Sequence, residues 1–269
     1  MWKVPPLALV VLSVVCAPAS ALEVKNVRAV YGPFGPARIS DKFLPGDVLH
    51  VSFDITDVKV DEKTGTAKYH IAMDLLDSKG TVNFNRSKNN VGSLNLGGNQ
   101  LPGFAEVLIG TDQAPGKYTL KVTVKDLLAK ETKTISYPFV ILAENFGFVR
   151  LFAPVAGLTG QDYVVNFAVI GMGRDTKKKP SGKVRVSVLD EGGKETLPQA
   201  FTIDIPKDLP EELLAKIDTL PFVELQFPLF LNRPGRFTIE IEGTDNTSKK
   251  TARLRFPLVV LDASSIGAK

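Results

Sequence analysis

Thiols, imidazoles and indoles are almost missing from this chain: its 269 residues include one Cys, two His and one Trp. The thiol, Cys16, sits in an apolar leader, so the body after residue 21 has none. That excludes disulfide bonds, thiolate metal centres and cysteine nucleophiles there, and leaves stability to core burial. His is the commonest metal ligand and general base, so two of them leave little for chemistry. Phosphate-loop, nucleophile-elbow and EF-hand spacings are also lacking, and the Asp residues at strand ends read as turn formers. A strong excess of one charge is lacking too: 33 basic against 29 acidic residues give +4, a weak field that does not point to nucleic acid. No cofactor is expected from this residue set.

What is present starts at the beginning of the chain. Lys3 precedes the apolar run Leu7 to Val15, followed by small residues ending Ala19, Ser20, Ala21, the order of a secretory signal cleaved after Ala21. At about 1.5 Å per residue that run covers roughly 14 Å of a roughly 30 Å hydrocarbon core, too little for an anchor. A lipoprotein signal needs a small residue before its Cys, whereas Val14 and Val15 precede Cys16. No segment after residue 21 is long and apolar enough for a transmembrane helix, so the expected location is secreted or periplasmic. At 44% hydrophobic and 23% charged, the chain is too apolar for disorder.

The body is written twice. Leu101 and Pro102 recur as Leu220 and Pro221, and Pro115, Gly116, Lys117, Tyr118 recur as Pro234, Gly235, Arg236, Phe237, both 119 residues further on. The same spacing carries Asp126 to Asp245, Tyr137 and Pro138 to Phe256 and Pro257, and Phe139–Leu142 to Leu258–Leu261. Leu76 and Asp77 recur as Leu189 and Asp190 at a spacing of 113, so about six residues enter the second copy between these points. Asp208, Pro210, Glu211 and Glu212, ahead of Leu213, Leu214 and Ile217, read as an N-capped helix of one to three turns that accounts for them. A period near 120 residues is a domain, since solenoid repeats run roughly 20–50. The chain therefore divides into a signal peptide, 1–21, a first domain, 22–143, and a second, 144–269. The short linker Ala143–Gly147 limits their relative motion.

Apolar residues alternate within each copy. Leu49, Val51, Phe53 and Ile55, then Tyr69, Ile71, Met73 and Leu75, then Tyr118, Leu120, Val122 and Val124 mark half-buried strands. The second copy repeats this with Val164, Phe167 and Val169 after a phase shift, then Val184, Val186 and Val188, then Phe237, Ile239 and Ile241. Turn signals at Ser78–Gly80 and Glu191–Gly193 separate them. About seven short strands per copy with almost no helix predict an all-β chain of two tandem antiparallel immunoglobulin-like β-sandwiches, with one short helix inserted in the second. The stretch Pro115–Leu142 resembles the closing hairpin of immunoglobulin-like domains of bacterial cell-surface proteins, over about a quarter of each copy. The Cys, Trp, Cys signature of true immunoglobulin domains is absent, so the resemblance implies a fold and no activity.

Smaller motifs read mostly as structure. His50 and His70 both fall on the polar phase of their strands and should face solvent, sharing a metal only if those strands pair. Gly171, Met172, Gly173, Arg174 lacks the third Gly and the helix of a dinucleotide loop, and reads as a turn. Lys177–Lys179 reads as a solvated hairpin tip, with anionic-polymer binding as the other reading. Asn85 and Asn246 head formal glycosylation acceptors, which matter only in a host that uses them.

The repeat lets one copy serve as control for the other at the closing hairpins. Loops Leu127–Lys130 and Asn246–Lys249 put Lys121 opposite Ser136, Thr123 opposite Thr134 and Lys125 opposite Thr132, but Glu240 opposite Arg255 and Glu242 opposite Arg253. The second face is closed by its own charge pairs. The first offers lysines without partners among hydroxyls, and its loop carries Leu127 and Leu128 where the other has Asn246 and Thr247. Lys121, Thr123, Lys125, Leu127, Leu128, Thr132, Thr134 and Ser136 are therefore the candidate contact surface for an envelope or extracellular protein or glycan, or for the second domain. The bland alternative folds the two leucines against the linker. The reading that follows is a non-catalytic binding or scaffold protein. The alternatives are a periplasmic two-domain chaperone with an open edge strand, an accessory carbohydrate-binding module, which would display exposed aromatics, and an enzyme of unrecognised type.

Overall fold

A computed structural model describes residues 21–264, so all but the last residue of the expected signal lies outside the described residues. The chain is nearly all β, in several sheets. The first half runs β1 (Glu23–Val30), β2 (Lys42–Phe43), β3 (Val48–Thr56), β4 (Thr66–Leu76), β5 (Val82–Ser93), β6 (Leu101–Leu108), β7 (Gly116–Asp126) and β8 (Thr132–Ile141). The second runs β9 (Gly147–Phe152), β10 (Ala156–Leu158), β11 (Asp162–Ile170), β12 (Gly182–Leu189), β13 (Phe201–Ile205), α1 (Glu211–Leu214), β14 (Phe222–Phe230), β15 (Gly235–Asp245) and β16 (Thr251–Leu261). Each half holds a three-stranded and a five-stranded sheet: β1-β3-β6 with β2-β8-β7-β4-β5, then β14-β11-β9 with β10-β16-β15-β12-β13.

The alternation seen in the sequence becomes the inward face of each sheet. On β7, Tyr118, Leu120, Val122 and Val124 are buried while Lys117, Lys121 and Lys125 are exposed. With Leu49, Val51, Phe53 and Ile55 of β3 they form one core; Val165, Phe167, Val186, Ile239, Ile241 and Phe256 belong to the other. Each such side chain contributes about 1.5–3 kcal/mol of burial, which is what holds two facing sheets together without a disulfide.

The phase shift expected in the second copy is not found in β11, where Tyr163, Val165, Phe167 and Val169 are buried in unbroken period two and Val164 lies on the other phase; the irregularity is in β9 beside it. Pairing of β11 with β9 slips between Asn166 and Ala168, and Arg150 opposite takes a left-handed φ of 55°. β1 has the same irregularity against β3, with Asn26 at φ 54°. Such bulges bend an edge strand and re-aim its side chains. The expected helix is a single turn, and Asp208 does not cap it. Pro210 stands at the N-cap and its carbonyl accepts the Leu213 and Leu214 N–H groups, while an Asp208 carboxylate oxygen accepts the Asp204 N–H at 2.8 Å.

The repeat extends to the turns. Asp77 Oδ1 accepts the Lys79 and Thr81 N–H groups, and Asp190 Oδ1 those of Gly192 and Lys194. Asp126 and Asp245, both fully buried, do more. Asp126 Oδ1 accepts Leu128 N–H and Ala129 N–H, and its Oδ2 reaches across to Lys59 N–H at 2.7 Å; Asp245 likewise takes Thr247 N–H and, at 2.7 Å, Gly173 N–H. Each carboxylate thus fastens the last hairpin of its half to a crossing segment.

The halves meet at a buried ion pair. Asp47 Oδ2 accepts Arg38 Nη2 at 3.0 Å, and its Oδ1 accepts the Arg150 N–H at 2.7 Å from the other half. Arg150 Nε returns a bond to Gly46 O at 3.0 Å. Around this, Tyr31 packs in the second core with its ring 5.9 Å from that of Phe256, and Leu44 packs on Val149, Ala168 and Ile170.

Burial pushes the Asp245 carboxyl up, but hydrogen bonds from the Ser248 hydroxyl and the Gly173, Thr247 and Ser248 N–H groups outweigh it and hold the group below its ordinary range. A depressed carboxyl contributes stability above its unfolded pKa of about 3.9 and loses it as pH falls through the folded value. Asp245→Ala should lower unfolding free energy by about 1–3 kcal/mol in urea titrations at neutral pH, because buried N–H groups lose their acceptor. The gap to wild type should narrow on acidification below about pH 4. A gap independent of pH would contradict this account.

Candidate functional site

The observed hairpin registers are those expected: Lys121 faces Ser136, Thr123 faces Thr134, Lys125 faces Thr132, Glu240 faces Arg255 and Glu242 faces Arg253. Lys121, Lys125, Thr132, Thr134 and Ser136 are exposed and Thr123 is half-buried, its hydroxyl 3.1 Å from that of Thr134. Leu127 is exposed at the loop, and Leu128 is half-buried. The loop does not hang free: Leu127 N–H donates to Lys68 O at 2.9 Å, as Asn246 N–H donates to Ser181 O at 2.8 Å in the second half.

The structure adds two strands to this face. β4 pairs with β7 so that Asp74 lies opposite Lys121, Ala72 opposite Thr123 and His70 opposite Lys125. Beyond β4, β5 brings Asn85, Ser87 and Asn89 into the same three rows. The description of Lys121 as lacking an acidic neighbour is therefore corrected: Asp74, reached only through a non-local pairing, stands next to it. Still, among the described residues neither Lys121 nor Lys125 forms an ion pair. The face is an array of hydroxyls and amides with Lys121, Lys125, His70 and Asp74 among them, spread over four strands and open to a partner.

Its counterpart is tied down. Arg253 Nη2 meets Glu240 Oε2 at 2.6 Å and its Nε meets Glu242 at 3.4 Å, Arg255 also pairs with Glu240, and Arg185 joins Glu242 at 3.3 Å and Glu195 at 2.6 Å. Arg185 occupies in β12 the place of Ala72 in β4, directly beside Glu242. The Arg253 hydrogen bond holds the Glu240 carboxyl below its ordinary range against the opposing effect of burial, and Arg255 adds to it. These charged groups already have partners, so displacing them costs what a new contact would gain.

Other expectations are overturned. His50 does not face solvent; it is 8% exposed, between Val30 and Glu106, with Nδ1 3.5 Å from Glu106 Oε2. Burial depresses its basicity, Glu106 and Asp47 oppose that, and nearby Arg38 adds to it. His50 is in the β1-β3-β6 sheet and His70 in the other, so their strands do not pair and the shared metal site fails; His70 Nδ1 instead lies 2.7 Å from Asn89 Oδ1. Among the described residues no group of three or more His, Cys, Asp and Glu could hold a metal ion. Lys177–Lys179 is exposed at the tip of a tight turn flanked by an antiparallel bridge between Arg174 and Pro180, as expected, although β11 and β12 themselves lie in different sheets. The turn is closed by Asp175, whose Oδ1 accepts the Lys177 and Lys179 N–H groups. Aromatic rings are also less hidden than alternation implies: Phe34, Phe84, Phe104, Phe152, Phe201 and Phe230 are all exposed.

No helix among the described residues is long and apolar enough to cross a membrane. No family model matches the chain. No curated protein matches it. Among solved structures it is similar to a red sea bream transglutaminase, at 8% identity and a TM-score of 0.29, over 90% of this chain and 31% of that one. It is also similar to dimeric latent PorU from Porphyromonas gingivalis, at 10% identity and a TM-score of 0.37, over 94% of this chain and 21% of that one. The chain thus spans about a third and about a fifth of these proteins, and the likenesses are too weak to bear on function.

The two faces predict unequal mutational costs at equivalent positions. Glu240→Ala strips Arg253 and Arg255 of their acceptor and should cost about 1–3 kcal/mol in denaturant unfolding. Lys121→Ala should stay within about 0.5 kcal/mol of wild type. Equal losses would mean that the first face is as structurally committed as the second.

Proposed function

We propose that this is a secreted or periplasmic, non-catalytic binding or scaffold protein of the cell envelope or exterior, made of two tandem immunoglobulin-like sandwiches, whose first half contacts a partner protein or glycan through the outward face of β8, β7, β4 and β5. One observation carries the reading. The same strand positions hold an ion-pair network in one copy and unpaired lysines among small polar groups in the other. Folding explains the first arrangement, whereas recognition explains the second.

Secretion has support of its own at the proposed cleavage point. The Leu22 side chain is buried in the first core, and its backbone nitrogen lies 2.7 Å from Glu131 Oε2. Cleavage after Ala21 turns that nitrogen into an ammonium facing a carboxylate, so processing strengthens a contact already in place. The intact mass of the exported protein should correspond to a chain starting at Leu22. Retention of residues 1–21 would contradict it.

The chaperone reading requires an edge that takes up a client strand. β5 is long, exposed and at a sheet edge, yet Arg86 and Lys88 sit on its core-facing phase, opposite Met73 and Ile71. Charges pointing inward on an edge strand are a device that prevents pairing, which favours recognition by the face over capture by the edge.

The test is crosslinked capture from native envelope and medium, with Lys121→Glu, Lys125→Glu and Leu128→Ser combined as control. Wild type should enrich a partner that the triple variant loses, with the melting temperature nearly unchanged. Capture that survives the three changes removes this surface from the account.

A further inference from the structure

The second half differs from the first by the segment between β13 and β14, and that segment walls a cleft of about 680 Å³. Asp208, Leu209, Pro210 and Leu213 stand on its side of the cleft, and β13 adds Phe201 and Thr202. The far end of the segment is fastened: Arg174 donates to Ile217 O at 3.0 Å and to Leu220 O at 2.8 Å. In the first half the connection between β5 and β6 is shorter, and the concavity nearby, about 400 Å³, is lined by β4, β5, β6 and Phe34 with no residue of that connection. The longer segment of the second copy thus walls a concavity within the roughly 300–1,000 Å³ range of small-molecule sites.

The opposite wall supplies the polar groups. Asn166 and Gln226 are directly opposed on β11 and β14, with Gln226 Nε2 donating to Asn166 Oδ1 at 3.1 Å. That bond leaves the Gln226 carbonyl oxygen as an acceptor and the Asn166 amide group as a donor. Glu224, beside them, lies 3.9 Å from Arg150, whose guanidinium also covers the Phe222 ring at 3.9 Å. Asp208 uses one carboxylate oxygen on the Asp204 N–H and keeps acceptor capacity. Phe201, 40% exposed, offers a ring 5.1 Å from that of Phe227.

This mixture selects among ligands. The Arg150 guanidinium is engaged by Glu224, Gly46 O and the Phe222 ring, which leaves the Asp208 carboxylate uncompensated and disfavours an anion. A neutral molecule with many hydroxyl donors, each carrying C–H surface on its other side, matches the acceptors and can lie on Phe201 and the apolar insertion. We infer that the cleft between the inserted segment and the β11–β14 wall binds a short neutral saccharide. The inference does not rest on the surface proposed for the first half, which lies on another sheet.

The test is saturation-transfer NMR on the full chain expressed with its leader and purified after export, using cellobiose, xylobiose, maltotriose and N,N′-diacetylchitobiose as probes at millimolar concentration. At least one probe should receive saturation, and Asn166→Ala with Gln226→Ala should weaken that probe at least about tenfold. Thr202→Arg, at an exposed position of β13, should block the cleft and give the same loss if the double variant proves unstable. Lys121→Glu with Lys125→Glu should leave saccharide binding unchanged, which separates this site from the first-half surface. No saturation of any of the four probes, binding that survives either cleft substitution, or a preference for glucuronate over the neutral sugars would each overturn the inference.

Discussion

The relation between the two halves depends on one carboxylate. Asp47 is almost fully buried and spends its oxygens on a guanidinium of its own half, on its neighbour Val48 and on a backbone N–H of the other half. A carboxylate so placed tolerates neither water nor a missing partner, because its desolvation is offset only while those bonds are made. Arg38 is positioned in turn by the rings of Tyr31 and Phe43, 4.6 and 4.1 Å from its guanidinium. Arg150 answers with a bond to Gly46 O and then turns toward Glu224 at the rim of the cleft. The junction, the bulge in β9 and the cleft wall therefore share one side chain.

Around that constraint, the two copies kept their backbone rules and changed their surfaces. Asp126 and Asp245 fasten equivalent loops, Lys130 and Lys249 take the same left-handed conformation at φ 62° and 59°, and Asp77 and Asp190 close equivalent turns. Buried carboxylates that satisfy several N–H groups cannot drift without leaving donors unpaired, so these positions are held by folding itself. Outward positions carry no such burden. There one copy carries Glu240, Glu242, Arg253 and Arg255 and a single-turn insertion, while the other carries lysines, threonines and serines.

The same physics decides what could be read from residues alone. Hairpin registers were legible because a short loop and period-two alternation leave one pairing that keeps Leu120, Val122 and Ile135 on one side. Asp74 beside Lys121 was not, since β4 reaches β7 across some forty residues of chain that give no local sign of the pairing. His50 shows the limit of alternation, which tells two faces apart but not whether the second is covered by a returning segment; the turn from Tyr31 to Arg38, closed by Tyr31 N–H to Pro36 O, brings Arg38 to it. β5 is not legible in the sequence because Val82–Ser93 carries polar residues on both phases, being exposed along nearly its whole length. The cleft was half legible. The insertion could be counted, but what it faces depends on how β13 and β14 end at neighbouring sheet edges.

The claim at the centre of this account is that contact with a partner belongs to the first copy's hairpin face and not to the second's. Thr132 and Thr251 test it most directly, being identical residues, both exposed, at equivalent positions in their hairpins. A photo-reactive amino acid placed at either position in the full chain, with crosslinking in the native envelope, should yield a discrete adduct from position 132 and none from position 251. Adducts from position 251 alone, or equally from both, would contradict the division of roles between the two copies.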